Sequence, residues 1–80
     1  VMIDRLEMIA NEKVVVDTTS NTVTILVTAG TLQVLNADET VTLATLGQWE
    51  IYTLPIQSGQ YVLKAGSEGA SAYLFRVFVY

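Results

Sequence analysis

From Lys13 onward the apolar residues recur at every second position, the spacing that places alternate side chains on opposite faces of an extended strand. The clearest stretch is "NTVTILVTAG", where Val23, Ile25, Val27 and Ala29 share one face and Thr22, Thr24, Leu26 and Thr28 share the other. Threonine suits a wet strand face, because its β-branched side chain favours extended backbone and its hydroxyl tolerates water. Gly30-Thr31 reads as a tight connection into "TLQVLN", and "NADE" reads as a turn before "TVTLATL". In that third segment Val41 and Leu43 are expected on the apolar face, opposite Thr40, Thr42 and Ala44.

Between Gly47 and Gly66 the chain nearly repeats itself, with Gly-Gln-Trp-Glu-Ile followed by Gly-Gln-Tyr-Val-Leu. In each copy Gly-Gln leads an aromatic into a strand, so the phrase reads as a repeated turn-into-strand device and not as two copies of a binding site. Two copies also fall short of the period of a solenoid or propeller. Period two puts Trp49 with Ile51 and Tyr61 with Leu63, pairings expected in a core, and leaves Glu50 and Tyr52 on the more exposed side. The first of these strands ends at Pro55, which cannot donate to a central ladder.

"GSEG" at Gly66–Gly69 reads as a turn before the last segment, "ASAYLFRVFVY". Here Tyr73, Phe75, Val77 and Val79 fall on one face and Ala72, Leu74 and Phe78 on the other, with Arg76 the main polar interruption. A strand that is apolar on both faces is normally covered on both. Residues 1–10 fit either a helix side (Met2, Leu6, Ile9) or a strand side (Leu6, Met8, Ala10), and the β-rich remainder favours an extended arm. The predicted organisation is an N-terminal arm or edge strand over residues 1–12 and one domain over residues 13–80. Its fold class is all-β: a small antiparallel β-sandwich, jelly-roll-like or a partly open barrel, of about six to eight short strands.

Composition sharpens this picture. A chain of 80 residues that is 51% hydrophobic and 15% charged is more apolar than a typical soluble domain, while its interior must be thin. Polar residues interrupt every apolar run before the roughly 18 residues a membrane-spanning helix needs. Asp4, Arg5 and Glu7 stand where a secretory signal would need an apolar segment. The net charge of −4 repels a phosphate backbone, so neither nucleic acid nor membrane is an expected partner.

The chain holds no cysteine and no histidine, which removes thiolate chemistry, disulfides, the usual general base and the commonest zinc ligand. "VVVDTTSN" resembles the start of an aspartic-protease motif over Val14–Thr18, but Thr19 stands where that motif has glycine, and Asp17 reads as a turn initiator. Lys64 and Ser67 read as a solvated lysine beside a turn serine. "NADE" lacks the oxygen spacing of a calcium loop. No catalytic residue, metal ligand or cofactor is assigned, and the chain is read as a non-enzyme.

The stretch "SNTVTILVTAGTLQVLNADETVTLATLGQWEIYTLPIQSGQYVL" resembles, in texture, small accessory proteins of tailed-phage virions such as capsid decoration or tail-associated proteins. That resemblance implies a sandwich or jelly-roll unit in a symmetric assembly, often a trimer, and a place in the virion. Independently, the mismatch between a thin core and the two-faced last strand points to a non-catalytic structural or interaction protein. It would self-associate or dock on a larger assembly, with Tyr73, Leu74, Phe75, Phe78 and Tyr80 as interface candidates. The alternative is a small-ligand or carbohydrate-binding β-domain. It would use Trp49 and Tyr52, or form a cupin-like barrel which, without histidines, would have to bind without the usual metal.

Overall fold

A computed structural model describes residues 1–54 and 59–78. Six strands account for most of them: β1 (Met2–Met8), β2 (Lys13–Asp17), β3 (Asn21–Asn36), β4 (Thr42–Leu46), β5 (Ile51–Leu54) and β6 (Gln60–Phe78). All pairings are antiparallel. The long strands β3 and β6 pair with each other along their length and carry the fold. The first half of β3 and the second half of β6 are flanked by β5 and β1, while their other halves are flanked by β4 and β2. Two four-stranded layers result, in the orders β5-β3-β6-β1 and β4-β3-β6-β2, sharing their two central strands.

The layers close on one core. Val23, Ile25, Val27, Leu54, Ala72 and Leu74 of the first layer meet Val16, Leu32, Val34, Leu46, Leu63 and Ala65 of the second, all buried in a single cluster. This is a small antiparallel β-sandwich of jelly-roll type, as the alternation predicted. The accessible surface of 4647 Å² matches the ~4700 Å² expected of a folded monomer of this mass, so the interior is packed normally.

Two predicted turns are corners inside continuous strands. At Gly30 the β3–β6 register shifts on either side, and Gly30 (φ 73°) and Gly69 (φ 81°) take left-handed backbone where the strands pass from one layer to the other. Glycine serves a bulged corner and a hairpin turn for the same reason, freedom at positive φ, so the residue alone cannot tell them apart. The β1–β2 turn braces this corner, with the Asn11 amide donating to the Gly66 carbonyl at 3.0 Å and the Ala65 amide to the Glu12 carbonyl at 2.9 Å. The first of these shifts, after Val27, turns Ala29 outward, against the expected continuation of the inner face.

In β4 the phase is the reverse of the one expected. Ala44 and Leu46 face in, whereas Val41 and Leu43 are exposed. The pairing sets this phase: Leu46 and Ala44 lie opposite the inward Leu32 and Val34, which turns Leu43 out, and a bulge at Leu43 then brings Thr42 opposite Leu35. "NADE" does form a turn, organised by Asn36, whose Oδ1 accepts the amides of Thr40 (2.8 Å) and Val41 (2.9 Å). Asp17 initiates a turn as read, its Oδ1 accepting the Thr19 amide at 2.8 Å.

Candidate functional site

Strand register decides which side chains share a face, and the two outer faces of the sandwich differ in chemistry. On the β4-β3-β6-β2 layer the outer row Lys13–Lys64–Gln33–Thr45 is polar. The next outer row, Val15–Val62–Leu35–Thr42, has its central pair buried. Lys13 Nζ meets Glu39 at 2.7 Å, so the β3–β4 turn folds back over this side. This outer face is therefore polar in one row and buried at the centre of the next, with Val15 (58%) exposed at its β2 margin.

The other outer face is apolar and open. Across β1-β6-β3-β5 the register aligns Ile3–Phe75–Thr24–Thr53 and, beside it, Arg5–Tyr73–Leu26–Ile51. Val77 extends the face at one end. Ile3 (60%), Ile51 (62%) and Val77 (52%) are exposed, while Phe75, Tyr73 and Leu26 are half-buried only by their neighbours in the sheet. The rings of Tyr73 and Phe75 are 6.5 Å apart and tilted by 40°, packed as neighbours and not laid flat as one stacking platform. Thr24 and Thr53 hydrogen-bond each other through their hydroxyls at 3.1 Å, which satisfies the polar groups in the middle of the face.

The charges on this face lie at its β1 margin and are neutralised there. Arg5 pairs with Glu7 at 2.7 Å, and its guanidinium carbon lies 6.0 Å from the centre of the Tyr73 ring. The hydroxyl of Ser71 donates to the second Glu7 oxygen at 2.7 Å. The hydrogen bond from Ser71, with that from Arg5, holds the Glu7 carboxyl below the ordinary glutamate range, and hydrogen bonding from Thr19 does the same for Asp17. A carboxylate whose pKa is lowered by folding stabilises the fold above its unfolded-state pKa and loses that contribution as pH falls through its folded value. The melting temperature should therefore drop on acidification below about pH 4, and drop less in the Glu7→Gln, Asp17→Asn double variant. Equal acid sensitivity of the two proteins would contradict this.

The predicted site residues are redistributed. Tyr73 and Phe75 lie on the open face. Leu74 does not: it points into the sandwich between Asp4 and Ile25 and is 1% exposed, because alternation along β6 gives it to the core. Phe78 is half-buried opposite Asn21 at the end of the layer, and Tyr80 lies outside the described residues. Trp49 and Tyr52 exchange their expected roles. Tyr52 packs against the core beside Ile25, while Trp49 is 66% exposed. Trp49 sits in the turn before β5 with φ 67°, and Ile51, expected in the core with it, is exposed as well, because the register sets Ile51 opposite the outward Leu26. Its amide donates to the Val27 carbonyl at 2.7 Å, placing it at the end of the open face. The two aromatics therefore present no shared sugar platform. Pro55, at the predicted strand end, lies outside the described residues.

Three members of the face were missed in the sequence: Ile3, Leu26 and Ile51. Leu26 carried a signal, as the one aliphatic among the threonines of the wet face of β3. The interior holds aliphatic side chains where a jelly-roll pocket would open. One shallow depression of about 110 Å³ lies at the layer corner, lined by Met8, Gly30, Glu68 and Ser71 among others. Among the described residues no cluster of three or more acidic, histidine or cysteine side chains could hold a metal ion, and no helix is long and apolar enough to cross a membrane.

No protein-family model matches the sequence, and no curated protein is significantly similar to it. Among solved structures the chain is similar to the cupin domain of Schizosaccharomyces pombe Cnp3, at a TM-score of 0.77 and 20% sequence identity, over 96% of this chain and 52% of that one. The chain thus spans about half the length of that structure. At this identity the likeness shows the fold alone: this chain is a small jelly-roll β-domain of cupin-like architecture.

Proposed function

We propose that this domain is an association module, whose open apolar face on the β5-β3-β6-β1 layer is covered by the same face of a second copy. The observation that carries the proposal is the uncovered row pair Ile3–Phe75 and Tyr73–Leu26–Ile51 on a sandwich whose interior is already filled. Charge favours a second copy as the occupant. The protein is net acidic, yet the carboxylates outside the ion pairs, Glu12, Asp17, Asp38, Glu50 and Glu68, lie in turns, at a strand end or at the corner, and none projects from the centre of this face. Two copies can therefore meet there without like-charge repulsion, in the manner of two sheets packed face to face.

Size sets the strength. Four strands about 4.8 Å apart and five residues of about 3.4 Å each give a footprint on the order of 300 Å², below that of tight complexes. Trp49 and Val77 extend it at the ends. Association in the micromolar range is the expectation, and exposed Trp49 is the natural anchor, since tryptophan dominates interface energetics. Light scattering over a concentration series from about 1 µM to about 500 µM should show mass rising above the monomer, with Trp49 emission shifting to shorter wavelength in parallel. A constant monomer mass of 8.7 kDa across the series would refute it. The comparisons supply nothing for a virion role, and the resemblance to phage accessory proteins adds no support to this reading.

A further inference from the structure

The edges of the layers differ as much as the faces. Edge strands offer unpaired amides and carbonyls to any neighbouring strand, and natural proteins blunt them by shortness, bulges, proline or charge. Here β5 has four residues, β4 is bulged at Leu43, and β2 has five residues whose end charges are committed to Glu39 and to the Thr19 turn. β1 is different. Its seven residues pair with β6 in unbroken register, contain no proline and have no strand on the other side among the described residues. Two exposed isoleucines lie near its ends, Ile3 (60%) and, just past the last residue, Ile9 (75%).

We infer that β1 is a docking edge for the β1 strand of a second copy, paired antiparallel about a two-fold axis through Leu6. An antiparallel pair keeps inner and outer faces aligned only if each residue meets one of its own parity, which leaves few registers for two identical strands. An axis through Asp4 sets Asp4 against Asp4, one through Arg5 sets Arg5 against Arg5, and one through Glu7 sets Glu7 against Glu7. Like charges directly opposite destabilise a sheet. The axis through Leu6 sets Arg5 against Glu7 of the second copy and Glu7 against its Arg5, both on the outer face. It also sets Ile3 against Ile9, covering the two exposed isoleucines, and Leu6 against Leu6 on the inner side. Arg5 and Glu7 already pair within one strand, so dimerisation only exchanges partners between adjacent groups. This pairing rests on the proposed self-association and adds to it: the open faces of two copies become one continuous apolar surface, doubling the footprint available for face-to-face packing.

Charge reversal in the full chain tests the register. Arg5→Glu alone sets a carboxylate against each Glu7 across the pair, and Glu7→Arg alone sets a guanidinium against each Arg5. Each should therefore weaken association about tenfold, with circular dichroism unchanged. An equimolar mixture of the two variants restores both ion pairs between unlike chains and should recover association as a heterodimer, read by native mass spectrometry. The double reversal Arg5→Glu, Glu7→Arg should recover it as a homodimer. Recovery in both cases supports the pairing, since misfolding of a single variant cannot produce it. Single variants that associate as tightly as the wild type, or a mixture no tighter than its components, overturn the pairing while leaving the face reading intact. A wild-type chain that stays monomeric removes both.

Discussion

The variant Gly30→Val is expected to lose much or all of the stability of the fold. Gly30 holds φ 73° at the point where β3 leaves one layer for the other, and a Cβ there would run into the carbonyl oxygen of Gly69 on the facing strand. Gly69 cannot retreat, because its own Cα faces the Met8 carbonyl, which a Cβ at Gly69 would meet at 2.5 Å. The obstruction is backbone on backbone, and no rotamer relieves it. Left-handed backbone costs an ordinary residue about 1–2 kcal/mol, and overpacking of this kind about 1–3 kcal/mol more. A domain of this size holds on the order of 4–12 kcal/mol, so valine removes much or all of its stability. Thermal unfolding followed by circular dichroism should show a strongly lowered midpoint or no cooperative transition. Gly47→Ala is the control, since its Cβ would meet only the flexible end of Glu50 and should leave the melt almost unchanged. A Gly30→Val protein that melts like the wild type would show that the corner is not built as described.

The second large effect concerns association. Phe75 occupies the centre of the open face, between Ile3 and Thr24, where a truncated or charged side chain is felt most. Phe75→Lys should weaken self-association by about 100-fold or more, because the two-fold face places both new ammonium groups in the same buried centre. Phe75 is half-buried within its own sheet, so some loss of stability accompanies the change. Ile51→Lys separates the two effects: this side chain is already 62% exposed, and its replacement should leave the melt intact while still weakening association.

The sequence made some of these features legible and concealed others, for physical reasons. Alternation over Asn21–Val27 identified the inner face of β3 correctly, because one wet and one dry side impose period two without ambiguity. The two-faced character of "ASAYLFRVFVY" pointed to Tyr73 and Phe75, and the structure places both outward on the open layer. What alternation could not supply was phase beyond an irregularity. The shift after Val27 put Ala29 on the wrong side, and the phase of β4, fixed by the pairing of Ala44 with Val34 and not by the spacing of its own apolar residues, did the same for Val41 and Leu43. Trp49 was misplaced for a related reason: a tryptophan at positive φ is rare enough that a strand begun there is the default reading. Ile3 remained hidden because residues 1–10 fit two periods equally, and only the pairing of β1 with β6 chooses between them.

The same logic connects the site to the fold. Gly30 and Gly69 let β3 and β6 turn a corner, which lets two strands serve two layers. That economy fills the interior of a short chain with aliphatic side chains and leaves a surplus outside, which is most contiguous on the β5-β3-β6-β1 face. The ion pair that ties the β3–β4 turn to the opposite layer, Lys13 with Glu39, has no counterpart over Ile3, Phe75 and Ile51 among the described residues.

Sedimentation equilibrium on the wild-type chain and on Ile51→Lys, at matched concentrations reaching several hundred micromolar, bears most directly on that uncovered face. The expected result is a wild type that self-associates with a dissociation constant in the micromolar range and an Ile51→Lys protein whose association is clearly weaker while it melts at the wild-type temperature. Identical monomer masses for both proteins, or identical oligomers, would contradict the assignment of this face to a second copy.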